Sequence, residues 1–148
     1  MYKRQVEKIG LPDPRFFIYW DDTMYGYLAS KVTNSIVVPD VVMRRTRDIS
    51  NWDIAGLWQL NSTSDMNRYH ILRNRGYMAR YFMVHGDYRP VLFALGTAAT
   101  VAKEVIRLVA VDREHVRTGL VQIAKGWRDS HKLMHDPKWR PMPPLVRQ

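Results

Sequence analysis

Hydrophobic and polar positions along this chain change rhythm near its middle. Residues 6–9 end in Gly10 and read as the tail of a helix closed by a C-terminal glycine. Leu11-Pro12-Asp13-Pro14 is a turn. The unbroken run Phe16-Phe17-Ile18-Tyr19 has the aromatic and β-branched content of a short buried strand. Asp21 or Asp22 then caps a helix over residues 23–32, with Tyr25, Leu28 and Val32 on one stripe. Short strands are expected at 35–38 and 41–43, around Pro39-Asp40, followed by a polar loop at 47–63.

From Ser64 the spacing becomes helical. Thr63 or Ser64 caps a helix to about residue 84, with Met66, Tyr69, Leu72, Tyr77 and Tyr81 near one face and Gly86 beyond its end. A second helix covers 90–111, and Asp112 caps a third that reaches 133. Residues 134–148 contain four prolines and read as a flexible, extended tail. Strands and one helix come first, then helices without strands between them. The order predicts an α/β fold, the edge of a sheet followed by a mostly helical appendage of about three helices.

Composition changes this picture in three places. The absence of cysteine excludes disulfides and thiolate metal sites. An excess of 23 Lys+Arg over 14 Asp+Glu, a net charge of +9, favours anionic partners: nucleic acid, an acidic membrane surface or phosphorylated substrates. The most apolar window, 91–111, contains Lys103, Glu104 and Arg107. Charges inside a span cost about 2–3 kcal/mol each, so this is read as a packed or interfacial helix. The opening residues 1–5, MYKRQ, match the translation of GTG-TAT-AAG-AGA-CAG, the end of a transposon adapter. They are read as a non-native scar and set aside from the fold.

The strongest candidate chemistry is at Trp20-Asp21-Asp22. Two adjacent carboxylates leave the predicted strand where ligands of open α/β sheets bind. Near a helix N-terminus the ionised form is favoured, and a positioned carboxylate can take a proton from an alcohol. The same residues also make an ordinary helix cap. His131 and His135 form an H-x-x-x-H pair without the glutamate of a metalloprotease. With Asp136 they would make at most a weak metal site, and solvated or structural roles are favoured. Neither a G-x-S-x-G nucleophile turn nor a G-x-x-x-x-G-K-(S/T) phosphate loop occurs.

The segment KIGLPDPRFFIYWDDTMYGYLASKV resembles the G-L-P-(D/E)-x-x-F-F-I-x-x-(E/D)-D-x-(E/D)-(Y/F) stretch of family-2 glycosyltransferases. It is particularly similar to their galactofuranosyl- and rhamnosyltransferase branches. SIVVPDVVM looks like the family's strand into its post-catalytic loop, and RYHILRNRGYMARYF is similar to its Y-x-x-x-R-N-R helix, here Tyr69, Arg73, Asn74 and Arg75. The likeness covers residues 6–80 well and 90–133 only as a helical tail.

This resemblance implies a GT-A (nucleotide-diphospho-sugar transferase) fold, with residues 6–46 as the acceptor-side part of a truncated catalytic domain and 64–133 as the helical region. It implies inverting transfer from a nucleotide-sugar donor to a glycan or lipid-linked acceptor in bacterial cell-surface polysaccharide synthesis. Asp22 would be the base, Asp21 would hold acceptor hydroxyls, and Trp20 and Tyr25 would bind the acceptor. Arg44, Arg45, Arg73 and Asn74 would serve the diphosphate or the structure.

Two departures bear on this reading. Met24 stands where the family pattern has an acid, and Arg44 or Arg45 where many members place a metal-binding histidine. No metal ligand is therefore assigned here; the divalent cation, Mg or Mn, expected for the intact enzyme would be held mainly by a donor-binding half. That half carries a D-x-D motif, and Asp-x-Asp occurs nowhere in this chain, so the expectation is a fragment inactive on its own. The expected compartment is the cytoplasm, including the inner face of the plasma membrane. The alternative reading is a small basic module that binds a membrane surface or nucleic acid. Arg68, Arg73, Arg75 and Arg80, interleaved with tyrosines, would be its nucleic-acid platform, the less favoured of the two.

Overall fold

The computed structural model describes residues 3–34, 52–54, 58–60 and 62–144. Its centre is a pair of helices, α3 (Asp65–Val84) and α5 (Val116–Met134). Helix α1 (Lys3–Ile9) and α2 (Asp21–Ser30) precede them, and α4 (Pro90–Ala110) lies between them in sequence. Strands β1 (Trp52–Ile54) and β2 (Trp58–Leu60) form one antiparallel ribbon, pairing Trp52 with Leu60 and Ile54 with Trp58.

The helix signals act as expected. Ser64 caps α3 by accepting a hydrogen bond from Asn67 N at 3.2 Å, and Pro90 stands in the first turn of α4. Gly10 and Gly86 take φ of 84° and 74° just beyond α1 and α3, where a side chain would be strained. Close approach explains two other glycines. A Cβ on Gly76 would lie 2.4 Å from Ser130 O, and one on Gly126 2.5 Å from Tyr69 O. Helices α3 and α5 therefore meet almost backbone to backbone.

Two apolar clusters flank this crossing. Phe16, Met24, Tyr77, Met78, Tyr81 and Trp139 form one; Ile71, Leu72, Leu108 and Ile123 form the other, and Trp20 packs against both. The first cluster joins the expected catalytic segment to the expected helical appendage in one core. It also takes in Trp139, 4% exposed, so the chain after α5 is anchored against α3.

The α/β expectation is overturned: the described chain is helical, and no sheet edge leads to the aspartates. Residues 14–16 form a 3-10 turn, and Phe17, Tyr19 and Trp20 adopt φ of 62°, 64° and 68°, far from strand geometry. Among the described residues no strand pairs with these peptide groups. Instead the amide of Asn74 donates to the carbonyls of Phe16, Ile18 and Tyr19 at 2.7, 2.6 and 3.1 Å. The described ribbon, β1–β2, falls inside the expected polar loop. The strands expected at 35–38 and 41–43, with Arg44 and Arg45, lie outside the described residues.

Asp112 is also used differently from its expected role. A 3-10 turn at Arg113–His115 precedes α5, and the Asp112 carboxylate makes no cap. It is drawn to the buried guanidinium of Arg68 and accepts from Thr63 N at 3.2 Å.

Candidate functional site

Three positive φ values within four residues are costly for side chains with a Cβ, about 1–3 kcal/mol each. They persist because α3 holds the turn from one side. Besides the Asn74 contacts, Trp20 Nε1 donates to Ile71 O at 2.9 Å, and Arg73 Nη2 donates to Arg15 O. Asn74 has two amide protons for three carbonyls, so at least one is shared. Its burial in a low-dielectric interior makes these bonds consequential.

A second polar cluster fixes the start of the same segment. Asp13 caps the 3-10 turn through Arg15 N at 3.0 Å and pairs with the Arg15 guanidinium, Nε at 2.8 Å and Nη2 at 2.6 Å. Tyr81 Oη donates to Asp13 Oδ2 at 2.9 Å and accepts from Met142 N at 3.2 Å. Burial raises the Asp13 pKa, but the hydrogen bonds from Arg15 and Tyr81 together outweigh it and hold it below the usual value. Tyr81 is pushed up to about 12, first by burial and then by the Asp13 charge, against the Met142 N–H.

The outcome of this scaffolding is the position of Asp21 and Asp22. Both are exposed, side by side in the first turn of α2, where the helix dipole favours carboxylates. Asp22 Oδ1 accepts from Thr23 N at 2.6 Å and from Thr23 Oγ1 at 3.3 Å, so one oxygen is engaged within the first turn. Trp20, at the N-cap position, makes no side-chain cap bond. The expected N-cap role is therefore not theirs: both aspartates stand inside the first turn, with an open face to solvent.

The other sequence-derived site residues divide. Asn74 and Arg73 are brought to the turn as structural partners, Arg73 lying 5.3 Å from the Tyr77 ring centroid and its Nη1 3.2 Å from His70 Nδ1. Trp20 is half-buried, hydrogen-bonded, and has the Arg75 guanidinium 5.9 Å from its ring. The open aromatic of this turn is Phe17, 69% exposed, beside the His70 ring at 5.3 Å. Its position in an apolar run had marked it for the interior. Tyr25 donates its hydroxyl to Gly10 O at 2.9 Å, which ties α2 to the end of α1. Arg68 and Arg75 are buried; Arg75 bonds Thr97 Oγ1 at 2.8 Å and Thr100 Oγ1 at 3.2 Å, so neither forms an open nucleic-acid platform.

His131 and His135 stack at 4.3 Å between ring centroids, but His135 Nδ1 faces His131 O at 2.8 Å and Asp136 Oδ1 accepts from Lys138 N. Among the described residues no group of three or more His, Cys, Asp or Glu is placed to hold a metal ion. Nor, among these residues, is any helix long and apolar enough to cross a membrane. No family model, curated protein or solved structure matches the chain, so the glycosyltransferase resemblance rests on its motif residues.

Proposed function

We propose that this chain is the acceptor-side part of an inverting, family-2-type glycosyltransferase acting in cell-surface polysaccharide synthesis. Asp22 accepts the proton of an acceptor hydroxyl on a glycan or lipid-linked substrate. That oxygen attacks the anomeric carbon of the donor, and the bond to the nucleoside diphosphate breaks with inversion. Asp21 holds neighbouring acceptor hydroxyls, and exposed Phe17 offers an apolar ring to the sugar in place of Trp20.

The observation that carries the reading is the support of the strained turn by Arg73 and Asn74. The R-N-R segment of the resemblance holds residues 15–19, the turn that leads directly into W-D-D, with the aspartates left open to solvent. The divalent cation of such an enzyme finds no ligand set among the described residues, and no step is routed through it. Donor binding belongs to residues outside those described, so acceptor binding is the direct test of this chain. Titration with galactan and rhamnan oligosaccharides, followed by amide shifts in two-dimensional NMR, should perturb residues 17–25. Asp22→Asn should keep that binding while lowering transfer by the complete enzyme about 10²–10⁴-fold. Unshifted amides at millimolar ligand would reject the proposal.

A further inference from the structure

The outer side of α4 is apolar for most of its length and lies apart from the acid pair. Val91, Leu92, Leu95, Ile106 and Val109 are exposed, with Leu92 at 59% and Leu95 at 62%. Exposed Ala98, Ala99 and Ala102 fill the spaces between them. At 3.6 residues per turn these positions share one arc of the helix, and Lys103 stands at its edge. Glu104 and Arg107 are not on it: they pair with each other at 2.7 Å in the interior. Toward α5 the arc continues into an apolar groove of about 710 Å³, lined by Phe93, Val101, Val105, Trp127 and Met134 among others. Trp127 is itself 60% exposed.

Charge near this surface is mostly positive. On α5, Trp127 lines the groove and shares an exposed apolar stripe with Leu120 and Ala124, bordered on one side by exposed Arg117 and Arg128, with Lys125 and Lys132 further round the helix. Arg89 precedes α4, and Arg113 lies in the turn after it. The nearby acids are fewer: Asp129 is engaged by Tyr69, Arg128 and Lys132, Asp87 before α4 is engaged by Lys31 and Tyr27, and Glu114 is exposed in the turn. A broad apolar face with an amphipathic tryptophan and a cationic border is the pattern of a surface that lies in a headgroup layer. A second copy would bring the same positive border against itself, which disfavours self-association.

We infer that the outer face of α4, with its groove against α5, docks on an anionic lipid bilayer. This inference stands whether or not the glycosyl-transfer reading survives. Sedimentation of the full chain with vesicles of phosphatidylcholine and phosphatidylglycerol, against phosphatidylcholine alone, tests it. Binding is expected to the anionic vesicles only, with a blue shift of tryptophan emission that Trp127→Phe diminishes. Leu92→Glu with Leu95→Glu should weaken partitioning about tenfold or more, and Arg117→Gln with Arg128→Gln should weaken it less. These side chains are exposed, and an unchanged thermal melt by circular dichroism will verify the fold. Wild type that ignores both vesicles overturns the inference. So does a glutamate variant that binds as wild type, which reduces the effect to net charge. A dimer in analytical ultracentrifugation that the glutamates dissociate, with no vesicle binding, assigns the face to self-association instead.

Discussion

Helix α3 is held on two sides by two different kinds of contact. Against α5 the centre of the contact is close packing: Gly76 and Gly126 bring the backbones together, Leu72 and Ile123 fill the space beside them, and polar contacts such as Tyr69 to Asp129 and Arg80 to Met134 O flank it. Against residues 13–20 it works through Arg73, Asn74, Tyr81 and the carbonyl that receives Trp20 Nε1. Close packing is tolerant of small rotations but intolerant of volume. Hydrogen bonds from a buried amide fix direction, and can hold a backbone in conformations it would leave unaided. One side of the helix therefore sets the fold, and the other sets the conformation from which Asp21 and Asp22 project.

The difference can be broken from the packing side first. Gly76→Val with Gly126→Val places side chains where Ser130 O and Tyr69 O already lie. A loss of about 4 kcal/mol or more is expected in urea unfolding, a large share of a domain's stability. Breaking the polar side should be milder and local. Asn74→Ala leaves three carbonyls without their donor and is expected to cost about 2–4 kcal/mol. Hydrogen exchange should accelerate in residues 16–23 while the centre of α5 stays protected; uniform acceleration would mean the two sides are one unit.

The smallest effects are those of pH. Asp13, held below its usual value, adds stability that is present above about pH 4 and is lost as pH falls through its lower folded value. Tyr81 adds stability that is full below about pH 10 and is lost as pH rises toward about 12. Denaturation midpoints measured across pH should flatten on the acid side in Asp13→Asn and on the alkaline side in Tyr81→Phe.

The α5 side of this comparison was legible in the sequence, and the turn side was not. Apolar spacing and the Ser64, Pro90 and Gly86 signals located α3 and α4 nearly to the residue, because those signals are local; the end of α5 was also legible, but it starts at Val116 rather than just after Asp112. Phe16-Phe17-Ile18-Tyr19 reads as a strand because short apolar runs look alike whatever their backbone does. What decides its conformation is Asn74, more than fifty residues away, and no local pattern announces that pairing. Asp112 fails as a cap for the same reason: Arg68, 44 residues upstream, takes its carboxylate. In the candidate site the acid pair and its helix N-terminus could be read directly. The exposure of Phe17 and the inward use of Tyr25 and Trp20 could not, since each depends on a distant carbonyl or turn.

The bond from Arg15 Nη2 to Arg140 O spans 125 positions of sequence, at 2.9 Å. Synthesis runs from the N-terminus, and contacts of such separation wait for the chain that makes them. The turn before Trp20 leaves the ribosome before its partners on α3 and beyond Trp139. Asp21 and Asp22 are thus translated before the side chains that shape their supporting turn, and that turn takes its form only after residue 140 has joined it.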